Sequence, residues 1–335
     1  LVTSYGLMQQ EIDLLSNIQW QTILLDEAQA IKNLNTKRFQ AAAKLQGRIK
    51  VILTGTPIEN RLSELWSLFR FINPGLLGSL ESFTKRFVEP IEQRKDHAAR
   101  TALKKLIQPF VLRRLKSQVL SELPPRIEKT IVIPFDKEEL AFYEALRQNA
   151  IEKLTKLSQQ EKKRIHILAE IMRLRRACCH SALVEPEAAI SSTKLKVFLE
   201  LVDELRANNH RALVFSQFVG FLDQVRSSLD AAGISYQYLD GSTPMEVRQA
   251  RVNAFQNGEG DLFLISLKAG GTGLNLTAAD YVVHLDPWWN PAVEDQASDR
   301  AHRIGQLRPV TIYRMIMEST IEEKIRSYFS EAKYI

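Results

Sequence analysis

The apolar run Ile23-Leu24-Leu25 ends in Asp26-Glu27-Ala28-Gln29, which sets two carboxylates at the C-terminal end of a strand. In a parallel sheet that edge is where ligands bind. A first carboxylate there can hold Mg²⁺, and a second can orient or deprotonate an attacking water. Acidic residues also cap helices at strand ends, and for an isolated pair that is the commoner use. A second run, Val51-Ile52-Leu53, delivers Thr54-Gly55-Thr56-Pro57. Hydroxyls on such a turn can sense a bound phosphate, although Gly and Pro also punctuate ordinary strand-to-helix turns. The stretch Ser266-Leu267-Lys268-Ala269-Gly270-Gly271-Thr272-Gly273-Leu274-Asn275-Leu276 is crowded with glycines and small hydroxyls, a composition that exposes backbone N–H groups to phosphate. It lacks the Gly-x-Gly-x-x-Gly order of a dinucleotide site. Arg300 and Arg303 stand three apart, so on a helix they share a face and point together at one anion. An isolated pair of that kind is by default solvated surface.

Positioning these groups takes alternating strands and helices, and the hydrophobic pattern supplies them. The two runs near Leu25 and Ile52 flank a helical stretch over 36–45, a strand, helix, strand unit. After Pro57, Leu62, Leu65, Trp66, Phe69 and Ile72 form one apolar helical face that Asn73-Pro74-Gly75 ends. Helical elaboration continues to about Phe110. Residues 94–129 hold ten lysines and arginines against three acids, a candidate polyanion-facing connector or a solvated helical surface. Pro124-Pro125 then breaks the chain before the strand-like Ile131-Val132-Ile133, and a long helical pattern over 137–177 ends basic, through Arg173, Arg175 and Arg176. The small, polar stretch 188–193 makes the best domain boundary. Beyond it, strand candidates at 212–215, 236–239, 262–265 and 281–285 alternate with helices, 310–315 adds a fifth, and 321–329 a closing helix. That alternation implies a parallel α/β sheet.

With 335 residues the chain can bury two modest cores. Its 45% hydrophobic and 25% charged residues are ordinary for a globular protein, and no stretch is long and apolar enough to cross a bilayer, so no membrane role is expected. A formal charge of +6 favours polyanions without selecting one. The two cysteines, Cys178 and Cys179, are adjacent and unsuited to a mutual bridge, which fits a reducing compartment. Cys178-Cys179-His180 has no second pair at finger spacing, so a packed helix end is expected there and no bound zinc. The chain opens on Leu1-Val2-Thr3-Ser4-Tyr5, without an initiator Met or signal-peptide pattern, and reads as the inside of something longer.

Asp-Glu-Ala-Gln has the look of a Walker B motif, and with Leu-Thr-Gly-Thr-Pro at this spacing it resembles motifs II and III of superfamily 2 helicases. Ala30-Ile31-Lys32-Asn33 and Ile58-Glu59-Asn60 resemble the Swi/Snf branch specifically, in a bacterial-looking spelling. The glycine-rich stretch resembles motif V. Asp286-Pro287-Trp288-Trp289-Asn290-Pro291, followed by Gln296 and by Asp299-Arg300-Ala301-His302-Arg303-Ile304-Gly305-Gln306, resembles motif VI and its approach, the most specific match of all. Leu112-Arg113-Arg114 with Leu123-Pro124 resembles the brace between lobes.

The resemblance implies two RecA-like parallel-sheet lobes with helical insertions, the first incomplete: 1–110 as part of the first lobe, 111–190 as basic linker and second insertion, 191–335 as the second lobe. It implies an ATP- and Mg²⁺-dependent translocase on double-stranded DNA, cytoplasmic and nucleoid-associated, acting against a DNA-bound protein such as RNA polymerase. Asp26 would hold Mg²⁺ through water, Glu27 would act on the attacking water, and Arg300 and Arg303 would be arginine fingers. Thr54, Gly55, Thr56, Gln296, Gly271 and Gly273 would line or couple the nucleotide cleft. Ser216, Gln217, Ser242, Ser266, Thr272, Asn275 and Trp289 would face DNA, with Trp288 and His302 structural. No Gly-x-x-x-x-Gly-Lys-[Ser/Thr] loop occurs in these residues, so the expectation is a fragment of a longer enzyme that by itself binds ATP poorly. The alternatives are a non-catalytic DNA-binding module and a strand-separating helicase.

Overall fold

The computed structural model describes residues 1–55, 58, 61–114, 116–120, 122–156, 160–188, 190–270 and 273–332. Thr56, Gly271 and Thr272, with Pro57, Glu59 and Asn60, lie outside the described residues. The chain divides into two units, Leu1–Val119 and Leu120–Ile335.

In the first unit β1 (Gln19–Leu25) runs parallel to β2 (Gln46–Ile52), with Leu25 opposite Ile52. Between them lies α1 (Lys37–Lys44), started by the Thr36 hydroxyl, which accepts the Phe39 N–H and satisfies one donor at the helix end. The pairing continues past the strands: Leu53 N donates to Leu25 O at 2.8 Å and Ala28 N to Leu53 O at 3.0 Å. The acidic turn is thereby fastened to the segment that carries Thr54. The helix α2 (Leu62–Ile72) follows the expected stretch but is apolar on two sides. Leu68 and Phe71 join the core over the strands, while Leu65, Trp66 and Phe69 join a second core with Leu103 of α3 (His97–Ile107). A helix buried on both faces ties the helical elaboration to the strand layer.

The second unit is built on a six-stranded sheet, parallel throughout, whose strands lie in the order Arg126–Ile133, Val310–Met317, Tyr281–His284, Ala212–Ser216, Leu262–Ser266 and Tyr236–Leu239. The elements are β3 (Arg126–Ile133), the helical hairpin α4 (Lys137–Thr155) and α5 (Gln160–Cys179), then α6 (Thr193–Ala207). Next come β4 (Ala212–Ser216), α7 (Val219–Ala231), β5 (Tyr236–Leu239), α8 (Met245–Gln256) and β6 (Leu262–Ser266). The unit closes with β7 (Tyr281–His284), α9 (Pro291–Ser298), β8 (Val310–Met317) and α10 (Ile321–Ala332). Every residue of β4 and β6 is buried, as central strands of a parallel sheet covered on both faces must be. Their alternate residues feed two cores, Ala212 and Val214 to one side, Leu213 and Phe215 to the other. Residues 126–133 form the edge strand of this sheet by pairing with β8, 184 positions away in sequence (Arg126 with Val310). Cys178 and Cys179 are buried at the packed end of α5, as the sequence reading expected of that segment.

Candidate functional site

The first cluster stands at the end of β1. Asp26 is exposed, and its Oδ1 accepts the Glu27 N–H at 2.9 Å. Glu27 sits in left-handed backbone, φ 49°, which is uncommon for a residue with a side chain and is held here by the Leu53 bonds on either side. Its carboxylate belongs to a relay. Thr54 Oγ1 donates to Gln29 Oε1 at 2.9 Å, and Gln29 Nε2 donates to Glu27 Oε2 at 2.6 Å. Gln29 reads both ends because an amide carries a donor and an acceptor on one plane. Tyr5 Oη donates to the Asp26 carbonyl at 2.7 Å, and burial, with Asp26 and Glu27 adding to it, pushes its phenol up to about 12. Gly55 is exposed beside Thr54. Sequence reasoning missed Tyr5 and Gln29 as positioning groups, although both lie inside segments it singled out.

The second cluster stands where β4 and β7 end side by side. Ser216 was expected to face DNA, but the structure buries it at 1% exposure, with its Oγ donating to Asp286 Oδ1. Gln217 donates through Nε2 to Asp286 Oδ2 at 2.7 Å and through its backbone N to Oδ1 at 3.2 Å. Ser266, at the end of β6, pairs in register with Ser216 and is also buried. Ser216 and Gln217 are engaged inside the unit because Asp286, only 4% exposed, must have its lone pairs filled there. Burial pushes the Asp286 carboxyl up, against the Ser216, Arg175, Lys194 and Gln217 groups that favour its charge. Asp286 carried no role in the sequence reading. Trp288 packs on the second core and its backbone N–H donates to Glu294 Oε1 at 2.7 Å, while Trp289 is half-buried. Ser242 is exposed, but its N–H and hydroxyl both donate to Asp240 Oδ1. Burial raises the Asp240 carboxyl, and the Ser242, Tyr238 and Thr243 donors outweigh it and hold it at about 2.

The arginine segment corrects one expectation. Arg300 and Arg303 do not share a helix face, because α9 ends at Ser298 and residues 299–305 form turns. Arg300 is buried and Arg303 exposed. The helix stops because tertiary partners take its backbone. Leu276 N donates to Arg300 O at 3.0 Å, and the buried Gln306 amide donates to Ala301 O, Thr277 O and Ala279 O. Gly305, at φ +98°, supplies the left-handed turn between them. His302 Nε2 donates to Pro124 O at 2.9 Å, and Arg126 bonds Asp295 at 2.6 Å, so the strand leaving the brace is fastened to the arginine segment. Gln296 is half-buried on α9, while Gly273, at φ +44°, and Asn275 are exposed on the glycine-rich loop between the buried Leu274 and Leu276.

Residues 1–183 match the SNF2-related domain family and residues 193–305 the helicase conserved C-terminal domain. The chain is 45% identical over 333 residues to Bacillus subtilis YwqA, described as a candidate ATP-dependent helicase/translocase, covering 97% of this chain and 36% of that protein. It is 35% identical over 337 residues to the human SWI/SNF-related matrix-associated actin-dependent regulator of chromatin subfamily A member 1, covering 97% and 32% respectively. It thus spans about a third of the length of the curated relatives it matches. The solved Sulfolobus solfataricus SWI2/SNF2 ATPase core in complex with dsDNA matches with a TM-score of 0.55 at 33% identity, over 97% of this chain and 69% of that one.

Proposed function

Because this chain belongs to the SNF2 family, we propose that the protein hydrolyses ATP and uses the cycle to move along double-stranded DNA without separating its strands. The observation that carries the reading is the Glu27–Gln29–Thr54 relay at the end of β1. It fixes one oxygen of Glu27 beside an exposed aspartate, the arrangement a water-activating carboxylate needs. Asp26 suits Mg²⁺ held through water, since it offers a single exposed carboxylate and Mg²⁺ ordinarily keeps several waters and takes phosphate oxygens for the rest. Bound Mg²⁺ would neutralise charge on the phosphates. Glu27 orients or deprotonates the water, and the exposed Arg303 supplies positive charge for the γ-phosphate, with the buried Arg300 behind it in the same segment.

Grip on DNA through backbone phosphates is independent of sequence, which suits a tracking motor. The Sulfolobus relative solved with dsDNA supports duplex DNA as the track. Proteins bound to that DNA, RNA polymerase among them, are the proposed obstacles, and the nucleoid in the cytoplasm the proposed location. Residues 1–335 contain no Gly-x-x-x-x-Gly-Lys-[Ser/Thr] loop, so the activity is assigned to the whole protein.

The test is phosphate release by the full-length protein with and without duplex DNA. Glu27→Gln is expected to lower DNA-stimulated turnover by about a thousandfold while duplex binding persists. Turnover retained in both Glu27→Gln and Arg303→Ala sinks the mechanism. Displacement of a triplex-forming strand without unwinding of a forked duplex is the expected pattern. Unwinding would instead make the protein a strand-separating helicase, and duplex binding with no hydrolysis by the wild type would make it a non-catalytic module.

A further inference from the structure

Arg175 lies near the C-terminal end of α5, is 0% exposed, and belongs to none of the segments assigned a chemical role above. A buried guanidinium is costly unless its donors and charge are answered. Here Nη1 and Nη2 are answered from two turns that are far apart in sequence, while Nε has no hydrogen-bond partner among the described residues. From the turn after β4, Gln217 Oε1 accepts Nη1 at 3.1 Å and the Phe218 ring lies 5.6 Å from the guanidinium carbon. From the turn after β7, the Pro287 carbonyl accepts Nη2, Asp286 Oδ2 stands 3.8 Å from Nη2, and the Trp289 ring centre lies 4.8 Å from the guanidinium carbon. Asp286 closes the circuit, because it also accepts from Ser216 and Gln217.

We propose that Arg175 is the positioning residue that sets the Trp289 ring, so that the helical hairpin α4–α5 governs the duplex grip of the second unit. The inference rests on the DNA-tracking reading above, in which Trp289 meets the duplex. The geometry favours a guanidinium over any other cation. One planar fork serves a carbonyl, an amide oxygen and a carboxylate while its face lies against an aromatic ring, and a lysine ammonium can replace only part of that. The ring is half-exposed, so one part of it stacks on Arg175 and the remainder is open to a ligand. Arg175 therefore acts from within the unit on a group at its surface. Its neighbours Arg173 and Arg176 share its charge without its burial, and Arg173 pairs instead with Glu170 and Glu185.

The experiment is a double-mutant cycle on the full-length protein, read as affinity for a fluorescently labelled duplex oligonucleotide without nucleotide. Arg175→Lys is expected to weaken binding by about tenfold in the wild-type background, within the usual range of coupling between contacting groups, and to have no further effect in a Trp289→Phe background. Effects that multiply instead of overlapping overturn the proposal, as does full affinity in Arg175→Lys when Trp289→Phe binds weakly. Trp289 emission, isolated as the difference between each protein and its Trp289→Phe counterpart, gives the second readout. Arg175→Lys is expected to make that emission more open to acrylamide quenching. Should Trp289→Phe leave affinity unchanged, the DNA role of Trp289 fails, and the quenching alone decides whether Arg175 positions the ring; unchanged quenching overturns it. If Arg175→Lys does not fold, Phe218→Leu, which removes one ring from the guanidinium, goes through the same cycle.

Discussion

Asp26 follows β1 in the first unit and Asp286 follows β7 in the second, each after a run of apolar residues at the C-terminal edge of a parallel sheet. Around Asp26 the groups are exposed or half-exposed: Glu27 N donates to Asp26, and a chain runs from the Glu27 carboxylate through Gln29 to Thr54. Around Asp286 the carboxylate, the Ser216 hydroxyl and the Arg175 guanidinium are buried, and the half-buried Gln217 amide closes over them. The first carboxylate keeps capacity for a ligand, whereas the second has spent its capacity on the fold. The same residue type at the same kind of strand end is open to solvent in one unit and architectural in the other, and burial with its partners makes the difference.

Substituting both aspartates is the hardest test of that comparison. Asp286→Ala leaves the Arg175 guanidinium buried without its carboxylate and is expected to cost about 3–5 kcal/mol in urea unfolding. Asp26→Ala is expected to leave unfolding within about 0.5 kcal/mol of wild type. Its DNA-stimulated turnover is expected to drop about a thousandfold, the several kcal/mol that a bound cation supplies. Equal stability losses at the two sites would erase the distinction.

Acid probes the second unit by itself. Burial, assisted by Arg314, lowers the His284 imidazole to about 3. The unfolded chain, with an imidazole near the ordinary value of about 6.5, therefore binds more protons between those limits, and stability falls as pH drops from 6.5 towards 3. The slope is about 1.4 kcal/mol per pH unit at most, or roughly 2 kcal/mol by pH 5. His284→Asn is expected to remove that contribution from the slope of urea unfolding against pH, and an unchanged slope would show that the imidazole does not report the buried sheet.

The smallest effect expected is at the relay. Thr54→Val removes one hydrogen bond to Gln29, worth about 1 kcal/mol, so turnover should fall roughly fivefold with duplex affinity unchanged. A change confined to affinity would detach the relay from the chemistry.

Much of the first cluster was legible in sequence because its determinants are local. An apolar strand delivers Asp26 and Glu27 to its end, and the next delivers Thr54, whatever the rest of the chain does. Gln29 was visible only as a letter in that string. The second cluster was misread for the opposite reason. Ser216 and Gln217 are polar residues after a strand, which normally meets solvent, and nothing within ten residues announces Asp286 or Arg175 as their partners. Arg175 itself looked like one of three basic residues at a helix end. The spacing of Arg300 and Arg303 predicted a shared helical face, and Leu276, Gln306 and Gly305 decided otherwise.

By itself the sequence determined the alternation of strands and helices, the acidic and hydroxyl-bearing turns at their ends, and the family resemblance, because periodicity and short motifs act within one or two elements. Only the tertiary structure decided which polar groups remain available for chemistry. It set Arg126–Ile133 as the edge of the second sheet, placed Arg175 under Trp289, and closed Ser216 over Asp286. Those contacts join residues 70 to 184 positions apart, and the burial they create is what turns a charged side chain from a ligand for solutes into a ligand for the protein.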